Sequence, residues 1–408
     1  MSQNTSDKLD YWNESLLKDK LPKQRANRYI VFDTDQGGLN NIRLAFEYVA
    51  VLAAVTGRTL VLPPKSPWYL INVGPMPEEF KGGTTEFADL FEIAALRKAI
   101  PVITTDEFID RAKTHLDIPD EFANQQEWDE NLKPYNQKWK EWLLDNTEIP
   151  GWNPYNTVIC LPDIKSAQNG PHLNERYLDS RKQVEFSAWQ QAAPVLYFPS
   201  NKEYRSLGPV ATMFASSDET LPILARRLIK HHIRFRKDIF NITKDILKKL
   251  DMGRFDAMQI RRNDFQYSKT RVSTEEVCSN TRKLFDEGLP IYIATDESRE
   301  EIFEDLKTGL NAANIYRWKD VERVYKKDIP YAWIGPIEQM ICSAARRFVG
   351  NDLSTFTAYI NRLRGYQLAE DTNLYFHSLA NDEIKPTLIE DFKGRAYLRE
   401  NPLFWLSC

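Results

Sequence analysis

Two adjacent arginines, Arg261 and Arg262, followed by Asn263 and Asp264, stand directly after the strand-like run FDAMQI. An arginine fork matches phosphate oxygens bidentately and keeps its charge throughout the physiological pH range, so such a doublet suits a diphosphate clamp. Asp264 can orient one guanidinium; equally, the group can be a surface ion pair. The run Gly350-Asn351-Asp352-Leu353-Ser354-Thr355-Phe356 occupies a comparable place, after the buried stretch Arg347 to Val349 and before a helix expected over Ala358 to Arg364. Hydroxyls and amides at such a helix start either cap the helix or hold a phosphate. Asp296 closes the strand Ile291 to Thr295. It can accept hydrogen bonds from a guanine edge or a ribose, or cap the helix beginning at Glu297-Ser298-Arg299-Glu300. The fourth candidate is the turn Asp35-Gln36-Gly37-Gly38-Leu39-Asn40-Asn41, which joins a strand to a helix. Unpaired N–H groups and the helix dipole favour an anion or a polar ligand group there. A tight turn capped by Asn40 accounts for the same residues.

Other chemistries are disfavoured. The glycine turn lacks the G-x-G-x-x-G spacing of a dinucleotide site, and the next strand ends in Pro63-Pro64-Lys65 instead of an acidic residue for a ribose, which argues against NAD. The five histidines show no metal-ligand spacing and no D-x-D pair follows a strand, so the expected reaction uses neither metal nor cofactor. There is no G-x-S-x-G and no catalytic-cysteine context to suggest an acyl-enzyme. With 54 Lys and Arg against 58 Asp and Glu, the net charge of −4 gives no reason to expect a nucleic-acid partner. The basic cluster Arg226, Arg227, Lys230, His231, His232, Arg234, Arg236 and Lys237 is spread over every azimuth of one helix and reads as a solvated surface. The longest strongly apolar stretch, Tyr48 to Val55, is far short of the roughly 20 residues of a membrane-spanning helix, so no membrane partner is expected. The first 20 residues have no apolar core and no small-residue cleavage site, and the cysteines Cys160, Cys278, Cys342 and Cys408 form no CxxC pair. A soluble protein of a reducing cytoplasm is expected. The N-x-Ser/Thr sequons at Asn4, Asn13 and Asn241 would matter only in a secreted chain.

The elements that must position these residues are those of an α/β protein. At 408 residues, with 42% hydrophobic and 27% charged, the chain has room for two or three globular domains of roughly 100 to 200 residues. RYIVFDT (Arg28 to Thr34) has the β-branched and aromatic character of a buried strand. From Asn40, apolar residues recur at three- and four-residue spacing until Gly57, a favoured helix-ending residue, and Thr59 to Leu62 form a second strand stopped by two prolines. Strand, turn, helix, strand is a βαβ unit and implies a parallel sheet. Residues 1–26 read as a mobile or surface-packed tail. The stretch from Asp106 to Asn156, with Trp128, Trp139, Trp142 and Trp152, reads as short helices and loops inserted into the first domain, either covering a cleft or sealing the insertion with aromatic plugs. One long amphipathic helix is expected from Ser216-Ser217-Asp218 to Leu250, followed by a second α/β domain. No internal repeat suggests a solenoid or propeller.

In combination, four segments carry a resemblance. Gly37 to Pro64, QIRRNDF (Gln259 to Phe265), YIATDE (Tyr292 to Glu297) and IEQMICSAARRFVGNDLSTFTAYINRLRG (Ile337 to Gly365), in this order and spacing, resemble the GDP-fucose O-fucosyltransferase family over most of residues 28–365. The stretch Asp106 to Asn156 shows no match. The resemblance implies a GT-B fold: two facing Rossmann-like domains with parallel sheets and a cleft between them. Residues 27–217 would be the acceptor side, 218–385 the GDP-sugar donor side, and 386–408 a segment packing back on the first domain. It also implies inverting, metal-independent transfer of fucose from GDP-fucose. Arg261 resembles the family arginine that contacts the donor diphosphate and stabilises departing GDP, with Arg262 assisting. Asp264 matches the acidic residue closing that motif, Asp296 the TD ahead of a helix, and Ser354 and Thr355, with Phe356 after them, the segment that holds phosphate. Gly37, Gly38 and Asn40 match the first motif, whose asparagine faces the reaction centre.

The doubled arginine is more similar to α1,6-fucosyltransferases acting on sugars, whereas Ser354-Thr355-Phe356 is more similar to protein O-fucosyltransferases, so protein and glycan acceptors both stay open. The sequence departs from the family pattern at Gln259, where many members have His, and at Gly37, where some have a glutamate base. A proton acceptor is worth about 10² to 10⁴ in rate. Asp33 and Asp35 are the nearest carboxylates in sequence, and Asp35 is the expected base. A catalytically silent module that binds GDP or a glycan is the alternative from outside the enzymes.

Overall fold

The computed structural model describes residues 9–17, 21, 23–35, 37–68, 84–123, 132–150, 157–160, 182–200, 214–215, 220–263, 271–351 and 354–367. The chain divides into two units, one formed by Trp12–Tyr69 and Gly82–Arg234, the other chiefly by the chain from Phe235 onward. The expected C-terminal segment 386–408, Trp128 and Trp152 lie outside the described residues.

The first unit is built on strand β1 (Tyr29–Phe32), helix α1 (Leu39–Thr56) and strand β2 (Thr59–Leu62), with β1 and β2 parallel and Tyr29 level with Thr59. Every residue of α1 except Asn41 is buried, including Arg43 and Glu47, which pair with each other one turn apart. Gly57 ends it in the left-handed region at φ +66°, where its N–H turns back to the carbonyls of Ala53 and Ala54. Short helices α2 (Phe87–Leu90) and α3 (Ile93–Arg97) lead to β3 (Val102–Thr104) and α4 (Thr105–Leu116), the latter started by a Thr104/Glu107 capping box. Helix α5 (Leu132–Asn146) follows, then β4 (Thr157–Cys160), β5 (Lys182–Glu185), α6 (Ala188–Ala192), β6 (Val195–Phe198), β7 (Phe214–Ala215) and α7 (Thr220–His232). The main sheet is parallel in the order β3-β2-β1-β6. A small parallel sheet, β5-β4-β7, has no counterpart among the sequence expectations.

The Trp-rich stretch supplies helices α4 and α5, which form the layer over one face of the main sheet. Phe108, Ile109, Trp139 and Leu143 share a core with Val31, Val61, Ile103 and Tyr197. Trp139 meets Phe108 and Phe122 edge-on and stacks on Trp142 at 5.2 Å. The single helix expected up to Leu250 is two helices, α7 and α8 (Lys237–Leu250), separated at residues 233–236. There the Arg234 carbonyl accepts the Glu92 N–H at 2.9 Å in place of a helical bond, and the two units divide after Arg234. The basic cluster of this region is not a solvated surface either: Lys230, His231, His232 and Arg234 are buried. His231 Nδ1 accepts the Asn13 N–H at 3.0 Å, His232 Nδ1 lies 2.8 Å from Ala95 O, and Arg234 donates to Glu14 at 2.8 Å beneath Trp12. Burial pushes the His231 imidazole down to about 4. Trp12, Asn13 and Glu14 belong to the N-terminal segment, which forms a 3₁₀ turn at Glu14–Leu17.

The second unit repeats the scheme. Strand β8 (Asp256–Ile260), helix α9 (Thr274–Thr281), β9 (Ile291–Thr295), α10 (Glu300–Gly309), β10 (Ile315–Tyr316), α11 (Trp318–Val324), α12 (Ile334–Ala344), β11 (Phe348–Gly350) and α13 (Thr355–Tyr366) follow in order. Its sheet is parallel in the order β10-β9-β8-β11. Val277, Phe303 and Leu306 pack from α9 and α10 on one side, against Met258, Ile260 and Ile293. Helix α12 lies on the other, with α8 and α13 beside it. In both sheets the strand order reverses at a central strand, beside β1 and beside β8, and the carboxyl ends of strands at such a reversal are where open α/β sheets bind ligands.

Candidate functional site

In the second unit the chain leaves β8 directly into Arg261. Three successive backbone N–H groups are taken by side chains from the neighbouring strand ends. Arg261 N–H donates to Asn351 Oδ1 at 2.6 Å, Arg262 N–H to Asp296 Oδ1 at 2.7 Å, and Asn263 N–H to Asp296 Oδ2 at 3.1 Å. The Asn263 amide also donates to the Asp296 carbonyl. Asn351 follows β11 and Asp296 follows β9, so the loop is gripped from both sides of β8. Asp296 Oδ2 lies 3.8 Å from Arg261 Nε. The Arg262 guanidinium donates to the Val272 carbonyl at 3.0 Å, drawing the far end of the loop back. Asp264 lies outside the described residues.

Asp296 therefore does not cap the following helix, which starts at Glu300 with Arg299 at its cap position. Between them sits Glu297, which the sequence analysis did not single out. Hydrogen bonding from the Arg299 side chain, helped by the N–H groups of Ser298 and Arg299, holds its carboxyl down at about 2. Ser354 is the N-cap of α13, its Oγ accepting the Thr357 N–H at 3.4 Å, and Thr355 and Phe356 open the helix. Thr357 in turn donates its hydroxyl to Gln259 Oε1 at 2.6 Å, tying the start of α13 to β8. Gly350 permits that approach, since a Cβ there would meet the Thr357 side chain at 2.4 Å. Arg261, Arg262, Asp296, Ser354, Thr355 and Phe356 thus lie on adjoining strand ends of one sheet. Nothing in local spacing marks Asn351 as the acceptor for an N–H 90 residues away.

The glycine turn lies in the first unit. Asp35 Oδ1 accepts the Gly37 N–H at 2.7 Å, a local bond that shapes the turn. The cap position of α1 belongs to Gly38, with no side-chain cap, so Asn40 does not cap the helix. It sits in the first turn, buried, with Oδ1 3.4 Å from Arg43 Nε, and Arg43 pairs with Glu47 inside the unit. Asp33, one residue past β1, accepts from the Ser200 N–H at 3.0 Å and pairs with Lys140 at 3.4 Å. Burial raises its carboxyl above the usual range despite these partners. Gln36 lies outside the described residues. Among the described residues, no group of three or more His, Cys, Asp or Glu is gathered to hold a metal ion, and no helix is long and apolar enough to cross a membrane.

The protein thus has two α/β units with parallel sheets, each with a polar loop where its strand order reverses. A family model described as GDP-fucose protein O-fucosyltransferase matches residues 29–367, from the first residue of β1 to the end of α13, and the chain belongs to that family of GDP-fucose-dependent fucosyltransferases. Among solved structures, POFUT1 in complex with GDP is similar at 16% identity and a TM-score of 0.43, with 84% of this chain and 97% of that chain covered. The NodZ α-1,6-fucosyltransferase soaked with GDP-fucose is similar at 15% identity and a TM-score of 0.40, covering 84% and 92%. Fucosyltransferase NodZ from Bradyrhizobium gives 15%, 0.38, 84% and 94%. Comparison with curated proteins gives no significant match.

Proposed function

We propose that the protein transfers fucose from GDP-fucose to a serine or threonine hydroxyl of a protein acceptor, with inversion at the anomeric carbon and without a metal ion. The acceptor oxygen bonds to the anomeric carbon as the bond to the GDP oxygen breaks. The hydroxyl proton passes to Asp35, and the leaving diphosphate carries away the bonding pair. Charge develops on that diphosphate, and Arg261 is assigned to meet it, the electrostatic work a metal would otherwise do. Gly37, Gly38 and Asn40 serve the reaction centre, and Asp264, Ser354, Thr355 and Phe356 the donor phosphates. The reading places the enzyme in a reducing cytoplasm, in keeping with Cys278 and Cys342 as buried free thiols.

One observation carries the donor half of this reading. The arginine loop leaves the sheet at its reversal point, and its main chain is held by buried polar side chains, so a charged side chain is presented from a rigid base. The doubled arginine favoured a glycan acceptor, but Arg262 has a task of its own in bonding the Val272 carbonyl, which leaves the protein acceptor as the preferred reading. Calorimetric titration with GDP, GDP-fucose, GDP-mannose and UDP-sugars, all in EDTA, tests it. The expected result is guanine-selective binding that Arg261→Ala abolishes, together with a rise in melting temperature that corresponds to about 2.7 kcal/mol at a hundredfold excess over Kd. Absence of binding by any guanine nucleotide rejects the donor site. Binding without any turnover of donor leaves the silent module.

A further inference from the structure

We propose that Asn351 and Asp296 are positioning residues for Arg261: by taking the N–H groups of Arg261, Arg262 and Asn263 they aim the arginine side chain at a nucleoside diphosphate. This rests on the donor-site reading above and gives Asp296 a task other than contact with a guanine edge or a ribose.

The geometry supports this from several directions. A loop leaving a strand normally has its N–H groups met by water or by its own turn. Here three in succession are met by two side chains that are buried at 1% (Asn351) and 6% (Asp296) exposure, and buried polar groups are costly unless bonded, so the arrangement is self-enforcing. The two acceptors come from opposite sides of β8, which prevents the loop from pivoting about the strand end. Both oxygens of Asp296 are spent on backbone N–H groups, and one of them also lies 3.8 Å from Arg261 Nε, so a single carboxylate orders the main chain and the root of the guanidinium together. Behind this layer, the Gln259–Thr357 bond couples β8 to α13, so the arginine loop and the Ser354 end of that helix share one frame. Such a frame lowers the ordering cost of binding an anion, which is how a residue that touches no ligand improves affinity.

The test compares GDP affinity in EDTA and melting temperature for the wild type, Asn351→Ala, Asn351→Asp and Asp296→Asn. Asn351→Ala removes the acceptor, whereas Asn351→Asp keeps an oxygen for the Arg261 N–H. Asp296→Asn leaves one acceptor oxygen for two N–H groups. GDP dissociation constants are expected to rise about tenfold in Asn351→Ala and in Asp296→Asn, with Asn351→Asp restoring the wild-type value to within a factor of about three. A merely structural Asn351 would lower the melting temperature of the alanine variant and leave the affinity of the folded protein unchanged, which overturns the proposal. Loss of affinity in Asn351→Asp equal to that in Asn351→Ala overturns it as well. If Asn351→Ala fails to fold, Asp296→Asn against the wild type decides in the same way. A wild-type protein that binds no GDP rejects the donor reading itself, whereas wild-type binding with unaffected variants rejects only the positioning role.

Discussion

The loops after β1 and after β8 stand at the same place in their two sheets, yet they are held by different means. The glycine turn is organised locally: Asp35 bonds Gly37 two residues on, and Gly38 accepts the Asn41 N–H as α1 begins. The arginine loop is organised from a distance, by Asp296 and Asn351 at separations of 34 and 90 residues. A side chain that accepts the N–H two residues on shapes the turn from within its own short segment. A loop pinned by neighbouring strand ends inherits the rigidity of the sheet, which suits a charge that must be in place before the leaving group develops its own.

The largest expected effect falls on the local turn. Asp35→Asn keeps the oxygen that accepts from Gly37, so the turn should survive while transfer falls by about 10² to 10⁴ with GDP binding unchanged. Full transfer activity in that variant would reduce Asp35 to a turn former and make the contrast between the loops sharper. Next is Gly350→Ala, where the added Cβ would meet Thr357 at 2.4 Å and push α13 from β8. Overpacking of this kind costs about 1–3 kcal/mol in denaturant unfolding, and weaker GDP binding is expected alongside it. Unaltered affinity would show that the arginine loop does not depend on the start of α13.

The smallest effect concerns the interior beneath β9. Glu338 on α12 is fully buried, accepts the Tyr292 hydroxyl at 3.0 Å, and is pushed up to about 8 by burial. Its folded-state value lies above the unfolded 4.5, so the stability it contributes is fully present below about pH 4.5 and is lost as pH rises through about 8. Glu338→Gln should flatten the fall in unfolding free energy across that window without touching the glycine turn, as thermal unfolding at a series of pH values would reveal. An unchanged pH profile would mean that another group carries the dependence.

Much of the fold is legible in residues near one another along the chain. The strands Thr59–Leu62 and Ile291–Thr295 and the end of α1 at Gly57 follow from β-branched runs, helical periodicity and a residue that tolerates positive φ, each a short-range property. The division of α7 from α8 is not legible, because no proline or glycine marks residues 233–236 and the interruption comes from Glu92, more than a hundred residues earlier in the sequence. The same holds for His231, His232 and Arg234, which look like part of a solvated face until Asn13, Ala95 and Glu14 supply partners. For the Trp-rich stretch, a cleft cover and an aromatic plug are both compatible with the residues, and only the fold places Trp139 in the core of the sheet.

By itself, then, the sequence determined the parallel α/β scheme, the family motifs and the positions of Arg261, Asp296 and Ser354 at strand ends, because those depend on pattern and turn chemistry within a few residues. Only the tertiary structure decided which side chain accepts which N–H. It made Asn351 the partner of Arg261, turned Asp296 from a helix cap into a clamp on the arginine loop, and sent Arg262 to Val272. The first two of those pairings join residues after different strands, and only the assembled sheet brings their atoms within hydrogen-bonding distance.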